Sequence, residues 1–200
     1  NPKKYIVSFI RNKVSFIKNE MLSDGEIDKY LVSPPEKVAI KVYREYEKIL
    51  RRNNAVDFDD LLKKPVELLM SNEDVLDKYQ EKFKYILIDE YQDTNEVQYK
   101  LVKLLASKYR NLFVVGDVNQ SIYGFRWSNY KNILNFEKDY PEAVSITLNQ
   151  NYRSTNTILN AANSVIKNNL ERREVNLFST FGDGVKIKYL RGNDEKDEVK

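Results

Sequence analysis

The 200-residue sequence predicts an α/β fold, with a parallel sheet in its second half and a purely helical segment ahead of it. Two observations predict the sheet. Short apolar runs alternate with segments of helical periodicity from residue 85 onward, and several of these runs end in polar clusters. Strands that alternate with helices are joined by right-handed crossovers, which makes their sheet parallel. Residues 1–56 show apolar side chains at helical spacing, which predicts a helical accessory segment.

Four helices are predicted ahead of the sheet, from periodicity and from their starting residues. Pro34 and Pro35 suit the first turn of the second helix, and Asp57 is a suitable N-cap for the third. Ser23-Asp24-Gly25 predicts a turn. The four helices are predicted at about residues 4–22, at about 34–52, from about 57 onward, and at about 73–83.

Strands and helices alternate in the second half. The first apolar run is typical of a buried strand. A helix near residue 155 follows either Ser154 or Thr155 as its cap. The predicted strands are 85–89, 112–116, 144–148 and 185–190, and the predicted helices between them are 95–108, 129–138 and about 155–169.

Composition excludes several kinds of site. The chain has no Cys, which excludes disulfides and thiolate metal sites and suits the cytoplasm. It has no His, so acid–base chemistry falls to carboxylates. No apolar run reaches the roughly 18 residues of a membrane span, so we expect no membrane partner. The net charge is +3, with the basic excess in residues 1–56; nucleic-acid binding and a solvated helical surface explain this excess equally well.

The run Tyr85–Thr94 carries the first chemical signal, because its apolar part ends in the adjacent carboxylates Asp89 and Glu90. Ligands of open α/β sheets bind at the carboxyl ends of strands. A carboxylate pair there can hold Mg²⁺ with one member and activate water with the other, as nucleotide hydrolysis requires. Taken alone, Ile-Asp-Glu is equally consistent with a strand end and a polar turn.

Two later strand ends carry polar and aromatic clusters as well, Gly116–Tyr123 and Gln150–Thr155. Together with Asp89–Thr94, and in this order, the three clusters resemble superfamily 1 DNA helicases of the UvrD/PcrA/Rep type. The resemblance extends over essentially the whole chain, and Asp57–Leu62 also matches a short family segment. The matching motifs are Asp89–Thr94 for motif II, Gly116–Tyr123 for motif III and Gln150–Thr155 for motif IV.

This resemblance implies a RecA-like P-loop NTPase sheet, of which only part is present. No Gly-x-x-x-x-Gly-Lys-Ser/Thr loop occurs, so we expect an internal fragment that is inactive by itself. Residues 1–56 resemble part of a helical insertion, 57–146 the second half of a first RecA-like domain, and 147–200 the start of a second. In the family, ATP binds between the two domains.

The resemblance also implies roles for residues at the ATP site. Asp89 is expected to help hold Mg²⁺, and Glu90 to orient and deprotonate the attacking water. Gln120 is expected to contact the γ-phosphate or that water, with Gln92 and Asp93 in the same network. From the second domain, Tyr152 is expected to stack on adenine and Arg153 to reach the γ-phosphate.

The expected contacts with single-stranded DNA are aromatic or basic, since every base offers a π-face and arginine binds phosphate. Phe58 also fits an apolar helix face, so core packing is its alternative. Phe125 stands where the family usually has tryptophan, and Trp127 where it has glycine, which makes Trp127 a rival stacking residue; Asn119 replaces a frequent aspartate. The expected DNA contacts are Phe58, Tyr123, Phe125, Arg126 and Trp127.

The resemblance implies a 3′-to-5′ DNA helicase of repair or replication, which takes ATP and Mg²⁺ and acts on single-stranded DNA and on junctions between single and double strands. Two alternatives remain open. One is the motor of an AddA- or RecB-like helicase–nuclease, which a nuclease domain would identify. The other is a catalytically silent nucleic-acid-binding module, against which the presence of Asp89, Glu90, Gln120 and Arg153 argues.

Overall fold

The computed structural model describes residues 2–170 and 175–199, with side chains from Val7 onward. The chain divides into two compact units, Asn1–Asp139 and Tyr140–Lys200. No helix in the described part of the chain is both long enough and apolar enough to cross a membrane. The predicted three-part domain division remains a proposal.

Five helices precede the sheet of the first unit. They are α1 Pro2–Asn19, α2 Asp24–Tyr30, α3 Pro34–Arg52, α4 Asp60–Ser71 and α5 Glu73–Lys82. The turn predicted at residues 23–25 is wrong, because Ser23 caps α2 and the Glu26 carboxylate accepts hydrogen bonds from the Ser23 backbone N–H and hydroxyl. Ser33 and Glu36 begin α3 in the same way, ahead of Pro34. Helix α3 covers the predicted range.

The core of the helical part lies between α1, α2 and α3. Its buried apolar side chains come from one face of each helix, as the periodicity predicts. They are Ile17, Ile27, Leu31, Ile40 and Tyr43.

A buried charge cluster joins these helices to the start of α4. The Lys18 ammonium is fully buried and lies 2.8 Å from Glu47, 2.8 Å from Asp57 and 3.0 Å from Asp60. Burial by itself lowers the pKa of Lys18, but the ion pairs with Asp57, Glu47 and Asp60 outweigh it and raise the pKa well above its ordinary value. Removing the lysine would leave carboxylates buried and unpaired, which is strongly destabilising.

The sheet of the first unit has two parallel strands, β1 Ile86–Ile88 and β2 Leu112–Val114, joined by α6 Glu96–Ala106. Ile86 lies opposite Leu112, and Ile88 opposite Val114. The connection through α6 agrees with the predicted crossover. A RecA-like P-loop fold would need more strands than these two.

The expectation of a buried first strand is only half right. One face of the sheet is partly covered, but Leu87 is 74% exposed and Phe113 is 61% exposed on the other. Among the described residues, no element packs on that second face closely enough to bury these two side chains. The strands are apolar on both faces, as in a sheet with two covering layers.

The helix predicted at 129–138 is divided in two, α7 Lys131–Leu134 and α8 Phe136–Asp139. The Asn135 backbone N–H bonds to the Lys131 carbonyl, and the Phe136 ring packs edge-on against Tyr91 at 5.7 Å between centroids. This packing places the pair of short helices beside the segment that follows β1.

The second unit contains α9 Asn156–Ile166 and α10 Glu195–Glu198. The strands predicted at 144–148 and 185–190 are wrong: in the described residues neither range is a strand, and only Gln150 and Phe178 form an isolated parallel bridge. Val144, Ile146 and Leu148 are each at least 79% exposed. A strand needs a neighbour to satisfy its backbone, and an alternating sequence cannot show whether one is present.

Candidate active site and nucleic-acid interface

The ends of β1 and β2 meet, which brings the two predicted ATP-site segments together. The Val115 N–H donates to the Ile88 carbonyl at 2.8 Å, and the Tyr91 N–H donates to the Val115 carbonyl at 2.9 Å. Asp89 and Glu90 follow β1 between these two bonds, and both side chains are exposed. The carboxylates therefore stand at the carboxyl edge of the sheet, where open α/β sheets bind ligands.

Glu90 has a strained backbone. Its φ of 51° and ψ of 44° lie in the left-handed region, which costs a non-glycine residue about 1 kcal/mol or more. The Asp89 carboxylate accepts a hydrogen bond from the Glu90 N–H at 2.9 Å. Strain of this kind persists only where the surroundings enforce it, and it is frequent at functional sites.

Gln92 links the two strand-end segments. Its amide nitrogen donates to the Glu90 carboxylate at 2.7 Å, and its amide oxygen accepts from the Asp117 N–H at 3.0 Å. The side chain is 1% exposed. Because one buried amide binds both segments, the orientation of Glu90 is fixed from the second strand as well as from the first.

Gly116 makes this link possible. A Cβ atom there would lie 2.5 Å from the Gln92 amide oxygen, 2.9 Å from Ile133 Cδ1 and 3.2 Å from the Tyr91 nitrogen. Any larger residue would have to displace the amide that holds Glu90. The sequence analysis placed Gly116 in motif III but assigned it no role, although a Gly-Asp pair directly after an apolar strand is a usable signal.

Asp117 is a second residue of motif III to which the sequence analysis assigned no role. Its carboxylate accepts from the Asn119 N–H at 2.9 Å and from the Gln120 amide at 2.8 Å. The first bond caps the short 3-10 turn that carries Gln120. Gln120 is exposed, and Asp117 connects it with Gln92 and hence with Glu90. The predicted members Glu90, Gln92 and Gln120 thus belong to one hydrogen-bonded group.

The other predicted member, Asp93, lines a cavity of about 340 Å³. One Asp93 carboxylate oxygen lies 3.4 Å from the Gln92 amide nitrogen, and the other is buried without a hydrogen-bond partner in the described structure. The remaining lining residues are Asn95, Gln98, Tyr123 and Arg126. The cavity therefore connects the ATP-site segment with the predicted DNA contacts.

The aromatic segment, Tyr123–Arg126, follows the 3-10 turn that carries Gln120. Phe125 is 74% exposed, and its ring centroid lies 5.9 Å from that of Tyr123. The Arg126 guanidinium lies 5.6 Å from both ring centroids. Exposed rings with an attached cation suit a nucleobase and its phosphate.

Trp127 lies differently from its exposed neighbours. It is half-buried and packs on Phe16 of α1, with 5.1 Å between ring centroids and 57° between planes. Its φ of 66° is left-handed, the conformation that glycine adopts most readily. Stacking of Trp127 on DNA remains a prediction, whereas its packing on Phe16 is observed.

Phe58 is 90% exposed, so it does not pack in the core, which was its alternative assignment. It lies in a turn just before α4. The Asp57 carboxylate accepts from the Asp60 N–H at 2.9 Å, so Asp57 closes this turn although the regular helix begins at Asp60. The turn therefore presents the Phe58 side chain to solvent.

In the second unit, Tyr152 and Arg153 are both exposed. The Asn151 side-chain oxygen accepts from the backbone N–H groups of Arg153 at 2.9 Å and Ser154 at 2.7 Å. The next residue, Thr155, is at the N-cap position of α9, and a Cβ atom at Gly184 would lie 2.7 Å from its methyl group. The backbone of this loop is fixed while its two functional side chains remain accessible.

The donors at the strand ends suit a hard cation. Asp89, Glu90 and Asp117 supply carboxylate oxygens, which Mg²⁺ prefers. Among the side chains that the structure describes, no group of three or more Asp or Glu residues is placed to hold a metal ion. Mg²⁺ is usually bound through one or two carboxylates, water and substrate phosphates.

Comparisons with known proteins show which family the chain is similar to. Residues 2–141 match the model of the UvrD/REP helicase N-terminal domain, and residues 146–200 match that of the UvrD-like helicase C-terminal domain. The chain is 50% identical over 197 residues to the ATP-dependent DNA helicase PcrA of Staphylococcus aureus, and 48% identical over 198 residues to that of Bacillus subtilis. These matches cover 98% and 99% of this chain, and 27% of each relative.

Proposed function

The chain belongs to the UvrD/REP helicase family, and from this premise we propose that it forms the central part of an ATP-dependent DNA helicase motor. The observation that carries the proposal is the Gln92 amide, which joins Glu90 to the segment that bears Gln120. By parent helicase we mean a longer polypeptide that joins this chain to a phosphate-binding loop and the remaining family motifs.

In the proposed reaction, Glu90 takes a proton from the water that attacks the γ-phosphate. Gln92 holds the Glu90 carboxylate from one side, which leaves its other oxygen for water. Asp89 would hold Mg²⁺, which supplies positive charge to the phosphate oxygens. Phosphoryl transfer depends mainly on position and charge, so a fixed carboxylate is sufficient as a base.

Gln120 is proposed to sense the γ-phosphate or the attacking water. Its amide nitrogen bonds to Asp117, and Asp117 also accepts the N–H that caps the turn. A contact with phosphate would compete for the Gln120 amide and change this turn. The aromatic segment begins three residues later, so the change would reach Tyr123 and Phe125.

Tyr152 and Arg153 are proposed to complete the nucleotide site, Tyr152 by stacking on adenine and Arg153 by binding the γ-phosphate. Support comes from their exposure and from the Asn151 side chain that fixes their backbone. An arginine in this role stabilises the charge that spreads over the transferred phosphoryl group.

Single-stranded DNA is the proposed polymer substrate, with Phe58, Tyr123, Phe125 and Arg126 as contacts. Their exposure supports this role, because stacking requires an accessible ring. The 3′-to-5′ direction, the action on junctions and the place in repair or replication are proposals that follow from the family resemblance. So are the cytoplasmic location and the domain limits at residues 56 and 146.

The proposal is tested by Glu90→Gln in the parent helicase. The amide keeps the shape of the side chain but cannot accept the proton, so ATP hydrolysis should fall at least about a hundredfold while nucleotide binding persists. Phosphate release and the affinity for a fluorescent nucleotide measure the two effects. Glu45→Gln, on the exposed face of α3, is the matched control. Hydrolysis near the parental rate in Glu90→Gln would mean that Glu90 is not the base.

The 200-residue chain alone is expected to show no appreciable ATP turnover, because it contains no Gly-x-x-x-x-Gly-Lys-Ser/Thr loop to hold the phosphates. Phosphate release with Mg²⁺ and single-stranded DNA measures this. Turnover comparable to that of an intact helicase would contradict the proposal that hydrolysis requires the phosphate-binding loop of the parent helicase.

A further inference from the structure

Two exposed aromatic groups, far apart in sequence, are attached to the same turn of one helix. The first is Phe58, in the turn before α4. The second is the aromatic segment Tyr123–Arg126. Residues next to both groups contact the last turn of α1, Phe16–Asn19. This turn contains no proposed catalytic or DNA-binding residue.

Carboxylates on both sides of Phe58 are bound by this turn. Lys18 lies 2.8 Å from Asp57 and 3.0 Å from Asp60, and the Asn19 amide donates to Asp59 at 2.9 Å. The Tyr46 hydroxyl also donates to Asp57, at 3.0 Å. Phe58 is thus exposed, whereas the aspartates on either side of it in the turn are bound to the last turn of α1.

This attachment is rigid for an electrostatic reason. Lys18 is fully buried, and it is the cation nearest to three carboxylates, those of Glu47, Asp57 and Asp60. Displacing the Phe58 turn would separate Asp57 and Asp60 from this ammonium and leave buried charge unpaired, which is costly. The position of Phe58 is therefore tied to that of α1.

The aromatic segment is attached through Trp127, which packs on Phe16. The Trp127 N–H donates to the Gly124 carbonyl at 3.1 Å and closes the short turn that presents Phe125. A bulky residue in a left-handed conformation is strained, and its contact with Phe16 offsets part of that cost. Trp127 is the only tryptophan of the chain, so its fluorescence reports this contact.

The same turn also reaches the ATP-site segment. The Asn19 side-chain oxygen accepts from the Asn95 amide at 2.8 Å, and both residues are buried. Asn95 caps α6 directly after the segment that contains Gln92. The single side-chain amide of Asn19 therefore joins the Phe58 turn, through its nitrogen, to the end of the catalytic segment, through its oxygen.

We propose that the last turn of α1 is a positioning element, which fixes Phe58 and Phe125 relative to each other so that one single strand contacts both. This inference rests on the proposed function, because it takes the two aromatic groups as DNA contacts. Two weak contacts on one strand reinforce each other only when their spacing matches the strand, and a shared rigid support provides that spacing.

The test uses the 200-residue chain and a fluorescein-labelled oligothymidine, with affinity measured by anisotropy. Phe16→Ala removes the ring under Trp127 and leaves the proposed contacts Phe58 and Phe125 unaltered. We expect Trp127 emission to shift to the red and affinity to fall between about two- and twelvefold, the range that corresponds to loss of an aromatic pair. Phe9→Ala, earlier on the same helix, is the matched control and should change neither. Phe16→Tyr keeps the ring pair and should restore both.

Double variants separate positioning from general destabilisation. If Phe16 acts through Phe125, then Phe16→Ala combined with Phe125→Ala should bind no more weakly than Phe125→Ala alone. Phe16→Leu, which keeps apolar volume but removes the ring, serves where the alanine variant loses its helical circular dichroism. Asn19→Ala should weaken oligothymidine binding, whereas exposed Asn12→Ala, its control, should not. Combined with Phe58→Ala, Asn19→Ala should bind no more weakly than Phe58→Ala alone.

Each outcome decides the matter. A red shift in Phe16→Ala with affinity equal to that of Phe9→Ala overturns the positioning role and leaves the proposed function intact. Independent, additive losses in the double variants also overturn it. If Phe58→Ala and Phe125→Ala both leave oligothymidine binding unchanged, or the unaltered chain does not bind, the proposed DNA contacts are wrong and the inference fails with them.

Discussion

The strand-end site and the exposed aromatic groups are built in opposite ways. At the strand ends, the side chains proposed for chemistry bond to one another, through the buried Gln92 and through Asp117. Phe58 and Phe125 contact solvent, and only their neighbours are fixed. Hydrolysis needs a few atoms held within tenths of an ångström, whereas stacking on any base needs an accessible ring at the correct place. Hydrolysis therefore requires direct hydrogen bonds between the functional side chains, whereas stacking requires only that the neighbours of the ring are fixed.

The second unit has both an exposed functional side chain and a fixed backbone beneath it, and the largest loss of ATP turnover is expected from a substitution there. Arg153 is exposed, but Asn151 fixes its backbone. In the parent helicase, Arg153→Ala should lower kcat for ATP by about a thousandfold or more, since it removes positive charge from the transition state. Steady-state phosphate release measures this, with exposed Lys167→Ala as the control. A loss confined to nucleotide affinity would instead indicate a role in ground-state binding.

Gly116→Ala tests whether the strand-end site depends on direct bonds. The added methyl group would meet the Gln92 amide and Ile133, so Glu90 should lose its fixed orientation. We expect ATP turnover in the parent helicase to fall about ten- to a hundredfold, with a stability loss of about 1–3 kcal/mol from overpacking. Turnover and thermal unfolding measure the two effects. Gly25→Ala, where a Cβ atom meets nothing within 4 Å, is the control. Unchanged turnover would show that Glu90 does not need Gln92.

Phe125→Ala tests the other arrangement and should have a smaller, separate effect. Loss of one stacked base corresponds to about 1–3 kcal/mol, or a five- to 150-fold weaker affinity for single-stranded DNA. Basal hydrolysis without DNA should stay within about twofold, because no strand-end hydrogen bond involves this ring. Oligothymidine binding and DNA-free phosphate release in the parent helicase measure both. Equal losses in binding and in basal turnover would mean that the two regions are not separable.

Local patterns predicted those parts of the fold that depend on local sequence. Helix α3 has the predicted limits because Pro34 and the Ser33–Glu36 pair specify its start. The polar residues after β1 and β2 predicted a site, and the hydrogen bonds of Gln92 bring those segments together. The strand predicted at 144–148 failed because alternation requires a partner that no local pattern reveals.

Parts of the site that depend on distant packing could not be predicted. Nothing near Asn19 in sequence indicates that it bonds to Asp59 and Asn95. Trp127 was selected as a stacking residue from its type, but its half-buried packing depends on Phe16, more than a hundred residues earlier. The sequence left Phe58 either in the core or exposed as a DNA contact. The turn closed by Asp57 leaves it exposed, which no local pattern indicates.

The open face of the two-stranded sheet affects how the chain behaves in solution. Leu87 and Phe113 are exposed side by side on paired strands, and Tyr85 is exposed next to them. An exposed apolar face beside strand edges that are unpaired among the described residues promotes self-association and aggregation. Colloidal stability, more than folding, should therefore limit the concentration at which the chain can be handled, and a net charge of only +3 gives little repulsion between molecules.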